Sequence, residues 1–359
     1  MTTASLTISV PSAKKANIYL YHPLVDIFFV CGGWLLLLVS INFALRGNLV
    51  SGEVLTPWTR TFVVMGLYLI SQPHSAATIF KLYGSRELAK KHALVAVALP
   101  PLLAAALLAA IYIPWLARLE ATAYVALALH HVMAQCYGIA VMYCARAQMQ
   151  LTSVERRLLQ TTLWTAVAAA VLQQLSTDYT RHSILGVQLF QFDFISPALV
   201  IFLQLMTLAA VLSLTVLQIE RRHSGRPVMP LAAALTMLTA SALLTIWNSQ
   251  TELVWLFVPP FFHGSQYLCV VMSYFVKEAK SGNQAMTAKQ VGEFIAVRMT
   301  ELFIVGLILF VGIPKLISLA GTPFALCSAL MFFAINLHHF AADSCIWKMR
   351  DDRVRRHLV

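Results

Sequence analysis

Charge is scarce in this chain. Of its 359 residues only 11% are charged, against roughly 25% in a typical soluble domain, while 59% are hydrophobic. A water-soluble globule and a disordered chain are both excluded. Carboxylates are the rarer charge, with 15 Asp and Glu against 26 Lys and Arg. Cysteine is sparse too: Cys31, Cys136, Cys144, Cys269, Cys327 and Cys345 form no CxxC pair, and none falls in an expected outer loop. A disulfide framework and a thiolate zinc site are therefore not expected. There is no CxxCH, so any haem would be of the b type. No stretch between apolar runs is long enough for a separate soluble domain; the longest, 177–194 and 278–298, cannot hold a core of their own.

What the chain has in abundance is apolar runs of about twenty residues, the length that crosses a bilayer core as helix. They fall at 24–45, 58–80, 92–115, 121–145, 158–176, 195–218, 229–249, 251–276, 299–319 and 322–347. The expectation is an all-α polytopic bundle of about ten spans, one integral-membrane domain over 1–359. A cytoplasmic segment at 1–21 and a basic cytoplasmic tail at 348–359 flank it. Lys14 and Lys15 precede the first run, and no small-residue cleavage site follows it, so that run is expected to stay as the first span.

Basic residues test this count, because they collect in cytoplasmic loops. With ten spans, 21 of the 26 fall on one side and five on the other, namely Arg46, Arg60, Arg118, Arg181 and Lys315. Both termini are thereby expected in the cytoplasm, in a bacterial inner membrane. The net charge of +11 is spread over six short segments facing lipid headgroups. No nucleic-acid partner is expected. Trp58, Trp115, Trp255 and Trp347 fall at expected interfaces and read as anchors. Phe190, Phe192 and Phe194 alternate with polar residues, as in a piece lying at the interface.

Ionisable groups within a span cost roughly 2.5–3.5 kcal/mol for Asp, Lys or Arg, so those present ask for a reason. Here they are mostly histidines. His92, His182, His223 and His357 fall in loops or at span ends; His22, His74, His130, His131, His263, His338 and His339 fall in or beside five spans. Counting 1.5 Å per residue from the cytoplasmic boundary puts His74 about 10 Å deep, His338 and His339 about 12–14 Å, and His131 and His263 about 20 Å. None is expected in the outer third. His131 precedes Gln135 by four, His263 precedes Gln266 by three and His339 precedes Asp343 by four, so each pair shares a helix face.

Neutral imidazoles with a carboxylate suit non-haem iron, although other transition metals are possible. The expected ligands are His74, His130, His131, His263, His338 and His339, with one or two ions bound. Asp343 is a ligand or orients His339; otherwise it caps the helix or pairs with Lys348. Gln135 and Gln266 would support the bound group, while Tyr137 and Tyr267 would position substrate or donate a hydrogen bond. Such a centre inside the bilayer suits a lipid, polyene or similar hydrophobic substrate that arrives laterally.

A many-span chain with histidines gathered in one half resembles the broad group of integral-membrane non-haem iron enzymes, which includes lipid desaturases and hydroxylases and bacterial carotene-cleaving dioxygenases. The resemblance is one of architecture. The desaturase boxes HxxxH and HxxHH do not occur, and the adjacent pairs His130-His131 and His338-His339 lack a partner three residues earlier. It implies an oxygen-dependent oxidoreductase with a mononuclear or unconventional centre. A desaturase or hydroxylase would need an external electron donor on the cytoplasmic face; a dioxygenase would not. Two rivals stand beside it: a proton-coupled transporter using the histidines with Asp26 and Glu301, and a b-type haem protein.

Overall fold

The computed structural model describes residues 18–44, 65–177, 183–247, 253–281 and 286–359. They are mostly helical. In chain order the main helices are α1 (Gly33–Ala44), α2 (Gln72–Tyr83), α3 (Leu99–Tyr112), α4 (Pro114–Arg146), α5 (Ser153–Leu175) and α6 (Pro197–His223). Next come α7 (Leu231–Trp247), α8 (Leu253–Ser281), α9 (Ala288–Leu307), α10 (Phe324–Ile346) and the short α11 (Asp352–Leu358). Each of the ten expected segments overlaps helix. Among the described residues, five helical stretches are long and apolar enough to cross a membrane: Leu94–Tyr112, Pro114–Arg146, Pro197–His223, Ala288–Ser318 and Phe324–Ile346. The expected anchors Trp58 and Trp255 lie outside the described side chains.

Local chemistry explains where helices start and where they widen. Pro114 and Pro197 stand in the first turns of α4 and α6, where a missing N–H costs nothing. Thr152 and Thr287 head α5 and α9 with reciprocal caps to Glu155 and Gln290. The widened π-helical turns at Leu67–Ser71, Leu94–Ala98 and Ile308–Gly312 each lie just before a proline: Pro73, Pro100-Pro101 and Pro314. A proline within a helix cannot donate to residue i−4 and its ring presses on that carbonyl, and a wider turn relieves both. At Pro100-Pro101 the helix therefore continues through a wide turn.

Burial separates centre from periphery. Half of the apolar window of α4 and 39% of that of α10 are buried, against 17% for the stretches containing α3, α6 and α9. Helix α6 presents Leu199, Ile201, Phe202, Leu205, Leu208, Leu212 and Val216 outward, an apolar exterior suited to lipid. Two apolar clusters hold the interior. One runs from Val132 to Tyr143 on α4 and takes in α5, α7 and part of α8; the other joins Tyr124 and Val125 to Leu330 and Phe333 of α10. His131 lies on α4 at the junction between them.

At one end of the bundle a two-residue hairpin, Ser183–Ile184 with Val187–Gln188, turns through Leu185 (φ 51°) and Gly186 (φ 81°). Positive φ at both turn residues is the geometry that matches strand twist. Phe190 of the following segment meets Trp115 edge-on and lies under Arg118, while Phe194 is exposed. At the opposite end, Arg146 donates to the carbonyls of Ile18, Tyr19 and Leu358, tying both termini to α4. Lys91 pairs with Asp351 and Arg353 with Glu278. There too, Glu155 of α5 is clasped by Arg221 of α6. Burial works against ionisation of Glu155, but Arg221, Thr152 and Gln218 outweigh it and hold the carboxyl down at about 2.

Candidate metal centre

Four helices converge between the two apolar clusters: α2 with His74, α4 with His131, α8 with His263 and α10 with His339 and Asp343. All five side chains are buried. Ring centroids lie 4.8 Å apart for His74 and His339, 5.0 Å for His74 and His263, 4.7 Å for His131 and His263, and 4.8 Å for His131 and His339. The depths counted from sequence spread these rings over about 10 Å; the structure puts them in one layer. Helices α4 and α8 run 15 and 18 residues past their histidines, α2 and α10 only nine and seven, so staggered helix ends account for the difference.

The ligand atoms are spaced as a metal needs them. His131 Nε2 and His339 Nε2 lie 3.1 Å apart, and each is 3.7 Å from Asp343 Oδ2. Two ligands about 2.1 Å from one ion sit about 3.0–3.4 Å apart at angles between square and tetrahedral, as the two nitrogens do, and about 3.7 Å apart when the angle opens to about 124°, as it would for Asp343. His74, His263 and His339 form a second group whose nitrogens lie within 4.8 Å of one another. Both nitrogens of His263 and Nδ1 of His74 are buried without a hydrogen-bond partner. A buried polar group left unpaired costs about 1–3 kcal/mol, which ligation to a cation would recover.

Around the centre a hydrogen-bond network holds His339. Thr78 Oγ1 lies 2.6 Å from His339 Nδ1 and 2.7 Å from the Tyr267 hydroxyl, and donates to Asp343 Oδ1 at 2.8 Å. A threonine has one hydroxyl hydrogen, and here it goes to Asp343. The contact with His339 is then an Nδ1–H donated by the ring, leaving the Nε2 lone pair facing His131. Tyr267 donates to Asp343 Oδ1 at 3.0 Å and accepts from Trp347 Nε1 at 2.9 Å. Gln135 Nε2 donates to Gln266 Oε1 at 2.7 Å and to the His263 carbonyl, while Gln266 Nε2 reaches the carbonyl of Val30.

The other expected site residues stand elsewhere. His130 points away from the layer and stacks on Trp164 with centroids 5.0 Å apart. His338 stacks on Tyr83, and its Nε2 lies 3.2 Å from the Val95 carbonyl, a contact that needs an N–H and leaves that nitrogen no lone pair for a metal. Tyr137 packs at the edge of the larger apolar cluster. His22 Nδ1 caps the amide of Leu24; Asp26 accepts from Leu20, Tyr21 and Tyr143, and not from His22. Glu301 pairs with Arg298. Asp343 faces the histidines rather than Lys348.

Sequence reasoning missed Thr78, and it missed that Trp347, read as an interface anchor, also donates to Tyr267. A signal for Thr78 was present. Each converging histidine has a polar residue four positions on: Thr78 after His74, Gln135 after His131, Tyr267 after His263, Asp343 after His339. The neighbours fail that test, since His130 and His338 are followed at that spacing by Ala134 and Ala342.

Two clefts border the layer. One, of about 90 Å³, is lined by His74 and His263 with Tyr124, Leu129, Phe332 and Phe340, and extends to Ile184 and Leu189. The other, of about 530 Å³, is lined by His131, Asp343 and Tyr267 with Ala134, Phe340 and Trp347. Apart from the site residues both are walled largely by apolar side chains. No family model, curated protein or solved structure matches the chain.

Proposed function

We propose that the protein is a membrane-embedded, metal-dependent oxidoreductase of the oxygenase type that acts on a hydrophobic substrate at this centre. The observation that carries the reading is the convergence of four buried histidines and one carboxylate from four separate helices, with donor atoms at metal-ligand spacing. His131, His339 and Asp343 are two imidazoles and a carboxylate, the set that favours non-haem iron with positions open for oxygen. Both candidate groups contain His339, whose Nδ1 is engaged by Thr78. A single Nε2 cannot serve two separate ions, so we place one ion here, with His74 and His263 completing its surroundings.

Iron held at such a site supplies the binding and activation of dioxygen. The protein's own part is to hold and exclude. Thr78 orients His339 and Asp343, Tyr267 holds the same carboxylate, and Phe340, its ring 4.6 Å from that of His131, screens the layer from water. Tyr124, Phe332 and Leu129 offer an apolar wall to a lipid or polyene.

The finer topology belongs to the same proposal: ten spans, both termini cytoplasmic, in a bacterial inner membrane. Segments that the basic residues assign to one side bond to one another, as Arg146 does to Ile18 and Leu358, Lys91 to Asp351 and Arg353 to Glu278. On the other side Arg118 reaches the Leu189 carbonyl. An external electron donor, if the reaction needs one, would dock on the basic face.

Oxygen uptake tests the function. Purified protein loaded anaerobically with Fe(II) and then given dioxygen with a polyene or unsaturated lipid should consume oxygen and yield an oxidised product. His339→Ala should do neither. Iron-loaded wild type that consumes no oxygen with any substrate of these classes would overturn the reading.

A further inference from the structure

A third pocket, of about 290 Å³, lies at the end of the bundle that carries Lys91–Asp351 and Arg353–Glu278, between α2, α8, α9 and α11. Its chemistry is unlike that of the clefts beside the histidines. Lys81, Arg298 and Arg353 line it together with one carboxylate, Glu278, and Arg298 also pairs at 2.7 Å with Glu301 outside the pocket lining. Glu278 is already engaged: its Oε1 accepts from Arg353 at 2.6 and 3.2 Å and from the Tyr274 hydroxyl at 3.2 Å. Lys81 is only 7% exposed and, among the described residues, makes no ion pair. Its ammonium rests 3.3 Å over the Tyr274 ring and 5.3 Å from the Trp347 ring. Aromatic faces compensate a buried cation only in part, and a buried charge is ordinarily paired.

We infer that this pocket binds the phosphate of an anionic phospholipid headgroup, with Lys81 as its central cation and Arg298 beside it. Position and walls favour lipid over a dissolved anion. Phe294 and Arg298 lie in the first three turns of the apolar stretch Ala288–Ser318, where a membrane-crossing helix passes the headgroups. Phe80, Leu88, Phe275 and Phe294 give the pocket an apolar side for the start of the acyl chains. Basic pockets between helix ends are sites of this kind. The inference does not depend on the metal centre, though Lys81 sits two turns beyond His74 on α2.

The test is lipid binding by the full-length, delipidated protein in detergent, read by native mass spectrometry. Phosphatidylglycerol, phosphatidylcholine and inorganic phosphate serve as probes. Wild type should bind phosphatidylglycerol in preference to phosphatidylcholine. Lys81→Gln should weaken that binding about fivefold, as should Arg298→Gln, the factor that corresponds to about 1 kcal/mol per cation at a membrane surface. Lys81→Arg should retain it, and Arg86→Gln, an exposed cation outside the pocket, should change nothing. Should Lys81→Gln fail to fold, Arg298→Gln carries the comparison. A phosphatidylglycerol preference unaltered in both pocket variants, or equal affinity for the two lipids, would overturn the inference. So would full displacement of the lipid by inorganic phosphate, which would make the ligand a dissolved anion.

Discussion

Replacing Thr78 by valine removes one hydroxyl and almost no volume, which isolates the network that orients the centre. In the native protein that oxygen serves His339 Nδ1, Asp343 Oδ1 and the Tyr267 hydroxyl at once. Asp343 keeps Tyr267 as a donor, and Tyr267 keeps Asp343 and Trp347. The uncompensated loss is the His339 Nδ1–H, buried with nothing to accept it. That costs about 1–3 kcal/mol of stability. Loss of a partner that holds a ligating histidine typically weakens metal binding about 10–100-fold. Thr78→Val should therefore melt at lower temperature than wild type in detergent without metal, and bind Fe(II) about 10–100-fold more weakly in an anaerobic titration. Thr78→Ser should restore both. A valine variant with wild-type metal affinity would refute the assignment of His339 Nε2 as the ligand atom.

His130→Ala and His338→Ala should leave bound metal unchanged in elemental analysis, because one ring stacks on Trp164 and the other contacts the Val95 carbonyl. Gly66→Ala should lower the thermal midpoint by an amount equivalent to about 1–3 kcal/mol, since a Cβ there would lie 2.6 Å from the Phe261 ring, two residues before His263. The Glu155–Arg221 pair makes stability acid-sensitive. The Glu155 carboxyl is held down at about 2 in the folded protein, against about 4.3 unfolded, so its contribution is complete above the unfolded value and is lost as pH falls toward 2. Thermal unfolding followed from pH 6 downward should show this loss, and Glu155→Gln should flatten that part of the profile.

Much of the site was legible because helix periodicity and membrane cost act together. An ionisable group in an apolar run needs a partner, and a polar residue four positions on lies on the same face. That reasoning singled out His131, His339 and Asp343, which the structure brings together although the counted depths set the two histidines apart. It did not decide between adjacent histidines. Neighbours on a helix diverge by about 100°, so at most one of His130 and His131, or of His338 and His339, can face a given site. The residue four positions on distinguishes them. Thr78 escaped notice because a threonine in a helix ordinarily bonds back to its own backbone, as Thr162 does here to Leu158, and nothing in its type marks it as a hinge of a polar network. Trp347 falls at a span end, where tryptophan is usually an anchor; only the position of Tyr267 on another helix gives its N–H a buried partner.

Helix directions follow from the same contacts. Thr78, Tyr267 and Asp343 each lie one turn beyond a histidine of the layer and bond to one another, so α2, α8 and α10 run the same way through it. They are the second, eighth and tenth of the expected segments. The depth of the layer was not legible, since the stagger of helix ends depends on tertiary packing.

The most direct test of the central claim is the metal content of the purified chain, measured by mass spectrometry for wild type, His131→Ala and His263→Ala under conditions that keep weakly bound ions. One ion per wild-type chain is expected, absent from both variants while each stays folded. A wild type without metal, or variants that retain it in full, would contradict a centre built from these helices.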